Sequence, residues 1–147
     1  MENQNMIREF NKSDMRAVME IWLATNVQAH KFIFEEYWMG QYFVIKAILP
    51  NMDAYVCENI ATNEIMGLIF IENDFLAGIC VKEEYQSMGI GKQLLDHAKS
   101  IKSNLVTKVY TINSRAVDFF LREQFSIGDE TTNIETGNQE LTLTWHN

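Results

Sequence analysis

Gln86-Ser87-Met88-Gly89-Ile90-Gly91 stands between an apolar run, Phe75 to Val81, that reads as a β-strand and an amphipathic run, Lys92 to Ile101, that reads as a helix. A glycine-bearing turn in that position aims the unpaired N–H groups of the helix start at one point, where the helix dipole adds partial positive charge. Such a turn seats a phosphate or diphosphate. The spacing narrows the ligand. G-x-x-x-x-G-K-[ST] is absent: no glycine stands five residues before Gly91, and Lys92 is followed by Gln93. G-x-G-x-x-G fails as well, because Leu94 occupies its last glycine position. What remains is Q-x-x-G-x-G, with the backbone from Ser87 to Lys92 offered to the ligand.

Outward from this turn the chain alternates strand and helix signals without repeat, linker or low-complexity tract. Upstream, Met6 to Phe10 reads as a first strand, and Ser13 as the cap of a helix carrying Met15, Val18, Trp22 and Thr25 on one stripe. That helix is expected to fray over Asn26 to Phe32. A second helix starts at Glu35-Glu36, presents Trp38, Tyr42, Ile45 and Leu49, and ends at Pro50, the only proline. Ala54 to Glu58 and Ile65 to Glu72 form a hairpin, and Asn73-Asp74 turns into Phe75 to Val81. Downstream come a strand, Leu105 to Ile112, and a short helix, Ser114 to Gln124. A closing hairpin, Ile127 to Glu135 and Glu140 to Trp145, turns through Gly137-Asn138. The order βααβββαβαββ implies an α/β (α+β) fold, a mixed sheet of about seven strands with helices on both faces.

Size and charge bound the function. One domain spanning 1–147 is expected, and a chain of 147 residues buries enough surface to need neither metal nor disulfide. Cys57 and Cys80 lie in apolar strands without metal-ligand or redox spacing, so they read as reduced thiols of a cytoplasmic protein. The polar start, Met1 to Asn5, resembles no signal peptide, and no apolar run is long enough to span a bilayer. A formal net charge of −8 argues against nucleic acid and anionic membranes and favours a cationic substrate such as an amine.

The loop and the element order together resemble the GNAT superfamily of N-acetyltransferases, over nearly the whole chain. The family run Val-x-Pro-Glu-Tyr-Arg/Gln-Gly-x-Gly-x-Gly stands here as Val81-Lys82-Glu83-Glu84-Tyr85-Gln86-Ser87-Met88-Gly89-Ile90-Gly91, with Glu83 for the proline and Ser87 for the first glycine. The preceding apolar-x-Val segment is Ile79-Cys80-Val81. The second signature, Asn then Ala then Phe-Tyr then Gly-Phe, stands as Asn113, Ala116, Phe119-Phe120 and Gln124-Phe125. Ile21-Trp22, His30-x-Phe32 and Glu36-Tyr37 are similar to a small bacterial branch, the YjaB-type proteins.

The resemblance implies acetyl-coenzyme A as co-substrate and no metal. It places the diphosphate on Gln86, Ser87, Met88, Gly89, Ile90, Gly91 and Lys92. The pantetheine arm falls along Ile79, Cys80 and Val81, in a cleft between that strand and Leu105 to Ile112. Asn113, Ala116 and Phe120 stand at the end of that arm. Lys92 is the one positive charge expected near the diphosphate. Phe120 falls where the family usually has a tyrosine that protonates the leaving thiolate. With a thiol pKa of about 8.5, departure unassisted at pH 7 costs only about 2 kcal/mol, so the loss should slow rather than abolish transfer. Tyr85, Tyr110 and Ser114 are candidate replacements.

The residue two before the apolar-x-Val segment, acidic in many relatives, is Ala77. The base is therefore sought elsewhere, first at His30, which titrates near neutrality, and at Glu35, with Glu36, Glu58 and Glu72 behind them. Phe32 and Phe34, off the helical register, are expected to line the acceptor pocket; Trp22, Tyr37 and Trp38 are expected in the core. His97 is expected on a solvated face. The leading expectation is acetyl transfer to a primary amine in a ternary complex. The alternative is a coenzyme-binding module with weak or no catalysis, motivated by Phe120 and Ala77. The acceptor is open, and so is the choice between monomer and homodimer.

Overall fold

The computed structural model describes residues 4–147; residues 1–3, part of the polar start read above, lie outside the described residues. The elements are β1 (Asn5–Glu9), α1 (Met15–Ala29), α2 (Glu35–Ile48), β2 (Asp53–Asn59), β3 (Ile65–Glu72), β4 (Phe75–Val81), α3 (Ile90–Ile101), β5 (Asn104–Tyr110), α4 (Ser114–Arg122), β6 (Ser126–Thr132) and β7 (Gln139–His146). The expected βααβββαβαββ order holds. Seven strands form one sheet in the order β1-β2-β3-β4-β5-β7-β6. Every neighbouring pair is antiparallel except β4 and β5.

Strand alternation sends side chains to two opposite cores. Val56, Leu68 and Phe70 pack against Val18, Met19 and Trp22 of α1 and Trp38 of α2. Ile69, Ile71, Leu105 and Leu143 pack on the other face against Leu94, Leu95 and Ala98 of α3 and Phe120 of α4.

The sheet opens at its one parallel pair. β3 and β4 run Phe70↔Gly78 and then Ile71↔Leu76, so Ala77 is an extra residue that bends β4. Gly78 is required there, because a Cβ would meet the Phe70 ring at 2.4 Å. β4 and β5 pair only at Phe75↔Val106. The Val106 N–H donates to Asp74 O at 2.9 Å, and the buried Thr107 hydroxyl donates to Leu76 O at 2.9 Å. Beyond that point the strands part, and residues 77–81 have no partner on the β5 side.

Some boundaries differ from expectation. Ser13 is not the cap: residues Lys12–Asp14 form a 3₁₀ turn, and the Asp14 carboxylate accepts the Asn11 N–H at 2.8 Å. The first helix does not fray at Asn26 but runs to Ala29, where the side chains of Thr25 and Asn26 bond back to the carbonyls of Ile21 and Trp22. β5 stops at Tyr110, short of Ile112, because the Asn113 N–H turns back to Tyr110 O at 2.9 Å.

Candidate functional site

The loop after β4 has the geometry of an anion seat. Gln86 Nε2 donates to Val81 O at 2.9 Å and ties the loop to the strand end. Ser87 and Gly89 adopt left-handed backbone, φ 63° and 84°. The first helical bond of α3 runs from Gln93 N–H to Gly89 O at 3.0 Å. The N–H groups of Ile90, Gly91 and Lys92 find no acceptor among the described residues. A Cβ on Gly89 would meet nothing within 4 Å, so the space over these donors is open.

The loop has a second cation beside the expected Lys92. Lys92 Nζ pairs with Glu123 at 3.1 Å and Asp96 at 3.4 Å. Arg115, on the first turn of α4, donates to Gln86 Oε1 at 3.2 Å and Ser87 Oγ at 3.1 Å. Sequence reasoning missed it. The available signal was a positive charge on the first turn of a helix, where the dipole disfavours it.

A cleft of ≈ 480 Å³ occupies the gap between β4 and β5. Ala77, Gly78, Ile79 and Cys80 form one edge, Val109 and Tyr110 the other, and Asn113, Ala116 and Phe120 close the α4 side. Of the expected arm-binding residues, Ile79, Cys80, Asn113, Ala116 and Phe120 are brought together, whereas Val81 is not on the cleft wall. Phe120 is buried and packs edge-on against Phe119 and Phe125. Burial pushes the Cys80 thiol up to about 11; it is a neutral wall residue.

The far end of the cleft is aromatic. Trp22, Tyr37 and Trp38, expected in the core, are largely buried and also line it. Phe34 does not: it is 84% exposed on the turn between α1 and α2. Phe32 supports the wall, edge-on to His30 and Tyr110. Asn133 and Glu140 border this end. Asn133 Nδ2 and the Thr136 hydroxyl reach the Tyr110 hydroxyl at 3.3 and 3.5 Å. Burial raises both Tyr37 and Tyr110, so each is a neutral phenol.

His30 is both the C-cap of α1 and a cleft residue. Its Nδ1 lies 2.9 Å from Asn26 O and its Nε2 lies 3.2 Å from Asn113 Nδ2. The ring stacks on Trp38 with centroids 5.0 Å apart. Burial lowers its pKa below the ordinary 6.5, and the Asn26 bond opposes that shift.

The other expected acids and bases lie elsewhere. Glu35 borders a shallow outer hollow between α1 and α2, with Lys31 and Glu20, and is absent from the cleft lining. Glu36 and Glu72 are exposed, and neither lines the cleft. Glu58 is bonded to Arg8 at 3.0 Å. The Tyr85 hydroxyl donates to Glu64. Ser114 is exposed and is not on the cleft wall. His97 is not on a solvated face: it is half-buried against Tyr55, with a buried, unpartnered Nε2.

These features suit a long ligand with a diphosphate at one end and an extended, amide-bearing arm. Open helix-start donors fit the first, and the unpaired edge of β4 fits the second.

Comparison with known proteins agrees. A family model for the acetyltransferase (GNAT) domain matches residues 50–127. The chain is 30% identical over 142 residues to the Escherichia coli peptidyl-lysine N-acetyltransferase YiaC, covering 95% of this chain and 96% of that protein. The solution structure of apo YjaB from Escherichia coli superposes with a TM-score of 0.84 at 20% identity, over 96% of this chain and 97% of that one. The PaiA N-acetyltransferase of Thermoplasma acidophilum, solved in complex with coenzyme A, gives 0.80 at 19% identity, over 97% and 99%.

Proposed function

The chain belongs to the GNAT family of acetyltransferases, and from that premise we propose that it transfers acetyl from acetyl-coenzyme A to the ε-amino group of a lysine in a peptide or protein, by direct attack in a ternary complex. The observation that carries this reading is the cleft that follows the free edge of β4 to His30, on the strand that leads into the loop with unpaired N–H groups from Ile90 to Lys92. The choice of lysine rests on the relative YiaC, a peptidyl-lysine N-acetyltransferase.

Bound acetyl-coenzyme A supplies an acetyl group activated as a thioester. The chain's residues do the rest. The amides of Gly89 to Lys92 and the Arg115 guanidinium hold the diphosphate. The free edge of residues 77–81 aligns the arm as an added strand, and its N–H groups are the donors available to the acyl oxygen. Trp22, Tyr37 and Trp38 enclose the acceptor's methylene chain and exclude water. His30, neutral at pH 7 because burial disfavours its charged form, accepts a proton from the acceptor ammonium. Glu35, outside the cleft, has no part in this step. Most of the acceleration comes from holding two substrates in register.

Titration calorimetry with acetyl-coenzyme A, followed by thiol release over lysine peptides, free lysine and polyamines, tests the proposal. Binding in the micromolar range and release dependent on lysine peptides are expected. Absence of binding at high micromolar co-substrate would sink it. A second reading, a coenzyme-binding module with little catalysis, is favoured by Phe120, which puts no hydroxyl at the family's acid position. It calls for binding with no thiol release on any amine.

A further inference from the structure

The protons around His30 can be assigned from hydrogen bonding alone. Asn113 caps α4, and its Oδ1 accepts the Ala116 N–H at 3.3 Å. A backbone N–H can only donate, so that atom is the oxygen and the amide nitrogen faces His30. An amide nitrogen can only donate, so His30 Nε2 carries a lone pair. Asn26 O can only accept, so Nδ1 carries the hydrogen. The ring is therefore the neutral Nδ1–H form. It is clamped edgewise by a helix end 83 residues away in sequence and flatwise by Trp38.

We propose that Asn113 is the positioning residue for His30: its amide holds the Nε2 lone pair facing the cleft as the Nδ1–H form, and gives up that bond to the incoming acceptor ammonium. The proposal rests on the reading of His30 as the base. The exchange is one donor for another. The ammonium N–H replaces the amide N–H on Nε2, one proton passes from the ammonium nitrogen to Nε2, and the freed amine lone pair is left for the acyl carbon. Nδ1–H remains on Asn26 O throughout, so the imidazolium that forms has a ready acceptor. Asn26 O holds the Nδ1 end of the ring, and Asn113 holds the Nε2 end. The titratable groups around it are Tyr37 from α2, Cys80 from β4 and Tyr110 from β5. The charged side chains on the cleft wall are Lys108 and Glu140, one of each sign.

The test reads the ring directly. In the free protein at pH 7.5, nitrogen NMR of the His30 ring should show Nδ1 protonated and Nε2 bare. Asn113→Asp keeps the helix cap, since aspartate caps as well as asparagine. It turns a carboxylate oxygen toward Nε2, which can only accept. The His30 titration midpoint should then rise by about one unit or more, and the acidic limb of kcat/KM should rise with it. A bare Nδ1 in the native protein, or an unmoved midpoint in Asn113→Asp, overturns the proposal. If acetyl transfer persists with an unmoved midpoint, only the role of Asn113 falls. If the midpoint moves in a protein that binds no acetyl-coenzyme A, the transferase reading falls and the Asn113–His30 link stands.

Discussion

Among the described residues, four other than glycine hold left-handed backbone: Asn63, Asn73, Ser87 and Gln124. Asparagine tolerates that region, whereas serine and glutamine are strained in it. Gln124 ends α4, where the Phe125 N–H reaches Phe120 O at 3.0 Å. Gln124→Gly removes a left-handed penalty of about 1–2 kcal/mol and loosens the unfolded chain by about 0.5–1 kcal/mol. A net gain of about 0.5–1 kcal/mol is expected, read as a higher urea midpoint. His30 sets a pH dependence at the same scale. Its folded pKa lies below the ordinary 6.5, so the unfolded chain takes up a proton first as pH falls. Its contribution to stability is full above about pH 6.5 and declines as pH drops toward the folded value. Thermal melts from pH 7.5 to 5 should show this decline, and His30→Gln should flatten it. Phe120→Tyr supplies the absent phenol. Since unassisted thiolate departure costs only about 2 kcal/mol, the gain in thiol release should not exceed about thirtyfold.

Between elements, two polar contacts hold the frame. Arg8 of β1 bonds Asp14 at 2.8 Å and Glu58 of β2 at 3.0 Å, joining the sheet edge to the start of α1. The guanidinium holds the Asp14 carboxyl below its usual range. Arg8→Ala leaves a buried carboxylate uncompensated and should cost about 2–3 kcal/mol in chemical denaturation. Where β4 and β5 part, the Thr107 hydroxyl satisfies Leu76 O. Strands, helices and the glycine turn before α3 were legible at this scale, because each is written in local periodicity and turn chemistry. The Ala77 bulge was not, since a register shift exists only between two strands. Arg115 was missed for the same kind of reason: its partners lie 28 and 29 residues away.

Over the whole molecule, the sheet opening and the aromatic end form one cleft, so a ligand that occupies it should stabilise the fold. Acetyl-coenzyme A at a hundred times its Kd should add about 2.7 kcal/mol. Gly89→Glu puts a carboxylate into the open space over the α3 donors and should remove both that stabilisation and the calorimetric signal. A variant that still melts higher with the co-substrate would place the diphosphate elsewhere. The sequence alone determined the element order, the fold and the glycine turn before α3, because hydrophobic period and glycine position act within a few residues along the chain. Only the tertiary structure decided that His30 shares a cleft with Asn113 while Glu35 lies outside it, that Trp22 and Trp38 are walls as well as core, and that Arg115 bonds the loop while Lys92 pairs with Asp96 and Glu123. A side chain's partner depends on how helices and strands distant in sequence pack, and packing leaves no mark in local spacing.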